Sequence, residues 1–453
     1  MVIDSHQIEK LLKEEKQPSA EKISTILEKA AQGKGLGLRE AATLLSVSEP
    51  LLLQRIFKTA GEVKEKVFGK RVVLFAPLYL SNYCTNGCLY CGFRNTNKGM
   101  DRTALEPSQV VAEAKTLEGM GFKRVLLVTG EDPRWGLDYI IDCVKAVYKN
   151  TGMRIIHLNA PPTDTDSLRK LKEAGVGVYQ SFQETYHRPT YELMHPTGRK
   201  KDYDFRLEVM DRAMEAGFGD VGIGPLLGLY DFRFDALASI AHSFHLYEKF
   251  GAHAHTISIP RLRPAEDFAL KEVPYTVTDE DLKKIVAVFR LSVPTAGIVA
   301  STRETAEFRS ELLHVGATQL SAASRTNPGG YTRGEKETLE QFSTTDHRSL
   351  IEVMGSVIDE GYLPSLCTTC YRVGRVGHEF TEKTLSGSME KLCQANAILT
   401  IKEYLSDYAQ NGSREMLEKA INMALNDVSD PAMKKALLDK IKELEEGKRD
   451  LYF

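Results

Sequence analysis

Long apolar runs and an excess of one charge are both missing from this sequence of 453 residues. No uninterrupted apolar run approaches the ~20 residues that a membrane-spanning helix needs. The segment Met1–His6 lacks the basic and apolar regions of a secretory signal. The 59 lysine and arginine residues nearly balance 62 aspartate and glutamate residues, for a formal net charge of -3. We therefore expect no membrane and no nucleic acid among the partners of this protein.

Cysteine is also sparse, with 7 residues in the whole chain. A disulfide framework would need more cysteines at regular spacing and an oxidising compartment. The low count favours a reducing compartment, and we expect the protein to be cytoplasmic. Six of the cysteines fall into two groups, within Cys84–Cys91 and Cys367–Cys393.

The first group consists of Cys84, Cys88 and Cys91, with three residues between the first pair and two between the second. A structural zinc site usually needs four ligands, and no fourth Cys or His lies nearby in the sequence. Three thiolates in one short loop can instead hold three corners of a four-iron cluster and leave the fourth iron open. The spacing therefore favours an iron–sulfur cluster that binds a ligand as well as carrying electrons.

A regular alternation of apolar, β-branched runs and amphipathic helical stretches begins at Arg71. Eight strands are predicted, at 72–80, 125–129, 154–159, 176–182, 221–227, 256–259, 297–301 and 318–322. Eight strands that alternate with helices predict an α/β fold of the (βα)8 TIM-barrel type. The alternative is an open sheet with fewer strands. The active site of such a barrel lies at the carboxyl ends of its strands, where the first cysteine group is expected.

The rest of the chain is predicted to be helical. Apolar residues recur at helical spacing in residues 1–70, which we expect to form an N-terminal helical segment. The predicted barrel occupies residues 71–330. After about Tyr331 no further barrel strand is evident, and residues 331–453 are expected to form a C-terminal helical domain that carries the second cysteine group.

The first cysteine group, with Tyr90 directly before Cys91, resembles the signature of the radical S-adenosylmethionine (SAM) enzymes. The resemblance implies a [4Fe-4S] cluster on the catalytic residues Cys84, Cys88 and Cys91, whose open iron chelates SAM. It further implies that one electron cleaves SAM to methionine and a 5′-deoxyadenosyl radical, which abstracts hydrogen from the substrate.

The resemblance also implies a set of SAM-binding residues near the strand ends. Gly130 and Glu131 close the second strand, where the family has a glycine-rich segment that meets the amino group of SAM. Glu184, after the fourth strand, and Arg206 suit the hydroxyl, ammonium and carboxylate groups of SAM. Tyr90 completes the set. The alternative for Gly130 and Glu131 is an ordinary βα turn. The alternative for Glu184 and Arg206 is a salt bridge at the barrel rim.

The segments Tyr179–Tyr191 and Met194–Gly198 are similar to the aromatic-amino-acid lyase branch of these enzymes. The two familiar members of that branch both cleave tyrosine. One acts in the synthesis of the thiamin thiazole, and the other acts in the maturation of [FeFe]-hydrogenase.

The second cysteine group distinguishes the two members. Cys367 and Cys370 form a CxxC pair, and Cys393 follows after 22 residues. Alone, this pattern would equally suit a structural zinc site with His378 or His347 as the fourth ligand. Beside the first group, it resembles the auxiliary [4Fe-4S] cluster of the hydrogenase maturases, which the thiamin enzyme lacks.

The hydrogenase-maturase resemblance implies a radical SAM tyrosine lyase with two stages. L-tyrosine is cleaved to 4-cresol and dehydroglycine, which is converted to carbon monoxide and cyanide at the auxiliary cluster. There a labile iron, held partly by a free cysteine molecule, becomes an Fe(CO)(CN) unit for the hydrogenase H-cluster. The implied partners are an electron donor of the ferredoxin or flavodoxin type and, transiently, other hydrogenase maturation proteins. The alternatives are the thiazole-synthesis lyase, which stops at dehydroglycine, and a non-catalytic iron–sulfur scaffold.

Two further sets of residues follow from the expected strand positions. Arg303, after the seventh strand, and Ser321, in the eighth, are the predicted contacts for the substrate carboxylate, with Arg325 in reserve. His253 and His255 precede the sixth strand, and in the resembling family a histidine near this place ligates the labile iron. A period of two puts both histidines on the same face, and we expect His253 to be the ligand.

Overall fold

The computed structural model describes residues 2–263, 269–270, 272–333 and 340–453, and its N-terminal part is helical. The helices are α1 (Ser5–Glu14), α2 (Ala20–Ala30), α3 (Leu38–Leu45) and α4 (Pro50–Phe68). Helix α4 begins at Pro50 because proline suits a first turn, and the Glu49 side chain accepts hydrogen bonds from the backbone nitrogens of Leu51 and Leu52.

Eight parallel strands follow and close into a barrel, because β1 pairs with both β8 and β2. The strands are β1 (Arg71–Ser81), β2 (Arg124–Thr129), β3 (Ile155–Asn159), β4 (Val176–Gln180), β5 (Asp220–Ile223), β6 (Thr256–Ser258), β7 (Gly297–Ala300) and β8 (Gln319–Ser321). The predicted (βα)8 barrel is confirmed, and the open sheet is excluded. Strand β5 ends four residues earlier than expected, since Pro225 has no N–H to donate to a ladder.

Helices surround the barrel and alternate with its strands. They are α5 (Pro107–Gly119), α6 (Leu137–Asn150), α7 (Thr165–Glu173), α8 (Arg188–Met194), α9 (Tyr203–Leu207), α10 (Val209–Glu215), α11 (Phe232–Phe250), α12 (Asp279–Ser292) and α13 (Ala306–His314). Short 3₁₀ turns lie at Pro133–Trp135 and Arg199–Lys201. In the part of the chain described, no helix is long and apolar enough to span a membrane.

The C-terminal part adds six helices and one strand among its described residues. These are α14 (Leu350–Asp359), β9 (Leu363–Ser365), α15 (Thr369–Arg372), α16 (Gly377–Leu385), α17 (Met389–Asp407), α18 (Asn411–Asn426) and α19 (Pro431–Glu445). Within the described residues after Tyr331, the barrel gains no further strand, as expected, but the prediction missed β9, which pairs in parallel with the first residues of β1. A three-residue strand that contains Pro364 has no alternation for a sequence to display. The division at residues 70 and 330 stays a prediction.

Strand β1 therefore has one cysteine group near each of its ends. Cys84 follows its carboxyl end at Ser81. At the other end, Val73 pairs with Ser365 of β9, and Cys367 comes two residues later. The two groups lie at opposite ends of the barrel, whereas TIM-barrel enzymes usually keep their chemistry at the carboxyl end alone.

Helix α17, which carries Cys393, is attached to the barrel through the buried carboxylate of Glu403. Arg154 Nη2 lies 2.5 Å and Lys123 Nζ 3.6 Å from Glu403 Oε1. Glu403→Ala would leave both cations without this partner, and we expect the free energy of unfolding to fall by about 3 kcal/mol. Chemical denaturation of the apoprotein measures the change.

The matched control is Glu418→Ala on α18. Glu418 is half exposed and lies 3.7 Å from Arg414 one turn away, so its loss should cost less than about 0.5 kcal/mol. Equal destabilisation by the two substitutions would contradict the role assigned to Glu403.

Candidate active site

The first cysteine group lines a cavity of about 230 Å³ at the carboxyl ends of the strands. Burial raises the pKa of Cys88 to about 12 and that of Cys91 to about 11, and the charge of Lys200 opposes the rise. In the described ranges no three His, Cys, Asp or Glu side chains are drawn together as around a single ion. Three thiols spread around one cavity suit a polynuclear iron–sulfur cluster, which binds thiolates.

Asn86 organises the cysteine loop. Its Nδ2 donates to Glu131 Oε2 at 2.7 Å and lies 3.7 Å from Cys84 Sγ. Its Oδ1 accepts a hydrogen bond from the backbone nitrogen of Lys200 at 2.9 Å. The chain passes so close that a Cβ on Gly198, which has a φ of 90°, would lie 2.2 Å from that oxygen. One amide thus connects the cysteine loop to two other loops of the cavity.

All five residues predicted to contact SAM line the same cavity: Tyr90, Gly130, Glu131, Glu184 and Arg206. Glu184 has a φ of 70°, in a region that non-glycine residues rarely occupy and that often marks functional sites. Lys200 Nζ lies 2.5 Å and Arg206 Nη2 3.8 Å from Glu184 Oε1. Burial would raise the pKa of Glu184, but these two cations hold it below the ordinary value. Their contact with SAM stays a prediction.

Lys200 was missed by the sequence reasoning. It stands in the basic run Arg199–Lys201, which has the composition of an exposed turn, yet its side chain turns inward and is 12% exposed. No local pattern separates the inward lysine from its neighbours.

Tyr90 is fixed by a buried histidine. The Tyr90 hydroxyl lies 2.7 Å from His195 Nε2, and His195 Nδ1 lies 2.7 Å from the Tyr191 carbonyl oxygen. Burial lowers the pKa of His195, so the ring is neutral and carries its proton on Nδ1, facing the carbonyl. Tyr90 therefore donates to Nε2 and presents its ring to the cavity.

Of the three predicted substrate contacts, Arg303 and Ser321 line the cavity. The Arg303 guanidinium stacks on Phe342 at 3.5 Å from the ring centroid, and its buried Nε has no hydrogen-bond partner. A carboxylate is the natural partner for such a donor. Arg325 does not line the cavity and lies beside Gly330 instead, so its reserve assignment is corrected.

The second cysteine group lines a smaller cavity of about 50 Å³ at the amino end of the barrel. Burial raises the pKa of Cys370 and of Cys393, and Arg71 opposes the rise at Cys393. Neither His378 nor His347, the candidate zinc ligands, is among the residues that line this cavity. The donor set again suits a cluster held by three thiolates.

The structure places His255, and not His253, at the second cavity. His255 Nδ1 lies 3.2 Å from Asp220 Oδ1, and its Nε2 lies 2.9 Å from the Tyr371 hydroxyl. His253 instead stacks on Tyr247. The preference for His253 is corrected: strand β6 begins at Thr256, so the period of two does not extend to residue 253.

The two cavities share part of their lining. Arg124, the first residue of β2, and Gln319, the first residue of β8, border both. Arg124 is buried, and its Nε and Nη2 have no hydrogen-bond partner. Arg124, with two of its three guanidinium nitrogens unpaired, therefore borders the cavities of both cysteine groups.

Comparison with known proteins agrees with this geometry. Residues 78–238 match the Radical SAM superfamily, and residues 258–363 match the Biotin and Thiamin Synthesis associated domain. A 2-iminoacetate synthase from Escherichia coli (strain K12) is 33% identical over 346 residues, which are 76% of this chain and 90% of that protein. Fold, cysteine loop and family match together define a radical SAM enzyme.

Two solved structures extend the likeness to the C-terminal part. A crystal structure of HydG, a maturase of the [FeFe]-hydrogenase, has a TM-score of 0.96 at 44% identity and covers 100% of both chains. HydG from Carboxydothermus hydrogenoformans has a TM-score of 0.86 at 38% identity, over 96% of this chain and 97% of that one. The chain belongs to the HydG family of [FeFe]-hydrogenase maturases.

Gly130 offers a test of the predicted SAM site. A Cβ there would lie 2.2 Å from the Tyr83 carbonyl oxygen and 3.3 Å from the Cys84 Cβ. The added methyl group of Gly130→Ala must displace packed backbone, at a cost of about 1–3 kcal/mol. A loss of about 1.4 kcal/mol in binding free energy weakens affinity tenfold. We expect about tenfold weaker SAM binding, measured by calorimetry on the cluster-loaded protein.

Gly119→Ala on α5 is the control for this substitution. A Cβ on Gly119 would meet nothing within 4 Å, so the dissociation constant of SAM should not change. If Gly130→Ala binds SAM with wild-type affinity, Gly130 is not part of the SAM site.

Proposed function

We propose that this chain is a tyrosine lyase that works in two stages. It cleaves L-tyrosine to 4-cresol and dehydroglycine, and converts dehydroglycine to carbon monoxide and cyanide for an Fe(CO)(CN) unit of the hydrogenase H-cluster. The observation that carries the proposal is the pair of three-cysteine cavities, which lie at opposite ends of one barrel and share Arg124 and Gln319.

The first stage belongs to the larger cavity. Cys84, Cys88 and Cys91 would hold a cluster that, with SAM, supplies one-electron chemistry for hydrogen abstraction. Glu184, with Lys200 and Arg206 beside it, offers both signs of charge to the zwitterionic end of SAM. The unpaired Arg303 Nε would bind the tyrosine carboxylate. Apolar side chains that include Val128 and Leu226 form part of the wall beside these groups.

The second stage belongs to the smaller cavity. Cys367, Cys370 and Cys393 would hold the auxiliary cluster, and the guanidinium of Arg71 lies against the buried thiol of Cys393 and acts on the other two through its charge. Dehydroglycine carries a carboxylate, and Arg124 offers unpaired N–H donors where the two cavities meet. The protein therefore provides positive charge along the path of the fragment.

His255 suits the labile iron of this stage, which is cargo built into the product. Asp220 Oδ1 lies 3.2 Å from Nδ1 of His255, in the position of the carboxylates that orient metal-binding histidines. Nε2, which lies 2.9 Å from the Tyr371 hydroxyl, would exchange that contact for the iron. A free cysteine molecule would complete the site. The further partners of the proposal are a ferredoxin- or flavodoxin-type electron donor and, transiently, other maturation proteins.

The thiazole-synthesis lyase is the alternative that stops at dehydroglycine, which is also named 2-iminoacetate. The similarity to the E. coli 2-iminoacetate synthase supports the shared first stage. That alternative does not account for a second cavity lined by Cys367, Cys370 and Cys393, nor for the HydG likeness over 100% of this chain. A non-catalytic scaffold does not account for the SAM-type cavity.

The two stages can be separated with cysteine variants and isotopically labelled tyrosine under reducing, anaerobic conditions. Cys88→Ala should abolish 4-cresol, carbon monoxide and cyanide, because every product depends on the first stage. Cys370→Ala should keep 4-cresol and lose carbon monoxide. Cys143→Ala is the control, since Cys143 lies in the core of α6 outside both cavities. Loss of 4-cresol in Cys370→Ala with an intact barrel cluster would refute the division.

The two histidines test the labile iron separately. His255→Ala should lose the extra iron, measured by metal analysis and electron paramagnetic resonance, while both clusters and 4-cresol release remain. His253→Ala is a matched control, because it removes the same ring from the stack on Tyr247 outside the cavity. Iron loss in His253→Ala alone would restore the original assignment.

A further inference from the structure

Residues 340–346, called the strap below, cross the mouth of the larger cavity between β8 and α14. The backbone nitrogen of Gln341 donates to the Thr326 carbonyl oxygen at 3.1 Å, and that of Asp346 donates to the Thr302 carbonyl oxygen at 3.1 Å. Thr302 and Thr326 themselves line the cavity. The strap is therefore fixed to the rim that follows β7 and β8.

The strap also lies directly on the cysteine loop. The backbone nitrogen of Gly92, next to Cys91, donates to the Gln341 carbonyl oxygen at 3.0 Å. A Cβ on Gly92 would lie 2.3 Å from the Glu340 carbonyl oxygen and 3.1 Å from that of Gln341. Only glycine allows the two backbones to approach this closely.

The side chain of Gln341 adds a contact to a cluster cysteine. Its Nε2 lies 3.9 Å from Cys91 Sγ, and its Oε1 accepts a hydrogen bond from the Tyr79 hydroxyl at 2.7 Å. A thiolate accepts hydrogen bonds and donates none, so the amide must present its N–H to the sulfur. Burial raises the pKa of Tyr79, which keeps the proton that it donates.

The next strap residue reaches the predicted substrate site. Phe342 stacks on the Arg303 guanidinium at 3.5 Å, and Arg303 Nε remains without a partner. A carboxylate bound at Arg303 would change the charge beneath Phe342. One peptide unit separates that ring from the amide that touches Cys91.

We propose that Gln341 is a positioning residue that raises the reduction potential of the barrel cluster by donating to Cys91, and that the strap makes this potential respond to substrate at Arg303. The proposal rests on the proposed function, since it requires a cluster on Cys91 and tyrosine at Arg303. Hydrogen bonds to cluster sulfurs are among the factors that set such potentials. Reduction by one electron from the external electron-transfer protein adds negative charge to the cluster. A hydrogen bond from the Gln341 N–H to the cluster therefore favours the reduced form.

The test is a mediated redox titration of the full-length, cluster-loaded protein. Electron paramagnetic resonance follows the part of the signal that responds to SAM, which reports the barrel cluster. Gln341→Leu removes the donor at similar size, and the reduced fraction at a fixed potential should fall several-fold. A tenfold fall in the reduced-to-oxidised ratio corresponds to about 59 mV for one electron. Gln341→Glu replaces the donor with a carboxylate and should lower the reduced fraction further.

Thr344→Val is the control on the same strap, where the hydroxyl faces His347, and it should titrate as wild type. L-tyrosine should shift the wild-type titration and leave Gln341→Leu unchanged. A wild-type potential in Gln341→Leu would overturn the proposal, and equal shifts by tyrosine in both proteins would overturn the coupling. If Gln341→Leu does not retain its iron, the titration of Gln341→Glu takes its place, and a wild-type potential in that variant would overturn the proposal.

The same preparation separates this inference from the proposed function. Release of 4-cresol by the wild-type protein with dithionite tests the lyase reaction, independently of any potential. Its absence would refute the lyase. Its presence together with an unchanged potential in the Gln341 variants would refute only the role of Gln341.

Discussion

Buried thiols favour their neutral form, whereas iron binds thiolates, and this conflict shapes both ends of the barrel. At the carboxyl end, burial dominates the pKa of Cys88 and Cys91, and the charge of Lys200 partly offsets it. At the amino end, burial raises the pKa of Cys393, and Arg71 acts as Lys200 does. Each cysteine group thus has a cation beside it, Lys200 at the first and Arg71 at the second, whose positive charge favours the thiolates that a cluster needs.

Lys200 connects the predicted SAM site to the cluster site through charge. It lies 2.5 Å from Glu184 Oε1 and also acts on the cysteines. A ligand that engages Glu184 therefore changes how much of the lysine charge is left for Cys88 and Cys91.

The sequence was sufficient where the signal is local. Cysteine spacing within one loop predicted the first group, and the apolar runs predicted eight strands, because both signals are properties of neighbouring residues. The second group, with Cys393 on α17, was assigned through the family resemblance. Contacts that depend on tertiary structure could not be predicted from the sequence. The inward turn of Lys200, the three-residue strand β9 and the position of Gln341 beside Cys91 have no local pattern. His253 and His255 could not be separated, since the choice depends on where β6 begins.

The distance between the two cysteine groups constrains any two-stage reaction in this fold. The 11 residues of β1 make ten steps of about 3.3 Å, so the strand is roughly 33 Å long from one end to the other. A fragment released at one group therefore has to travel before it meets the other. A path through solvent would dilute small products, whereas a path inside the barrel would pass Arg124 and Gln319, which border both cavities. The added strand β9 matters for this reason: by pairing with the first residues of β1, it sets the second cysteine group beside the amino end of the barrel, where Arg124 and Gln319 lie.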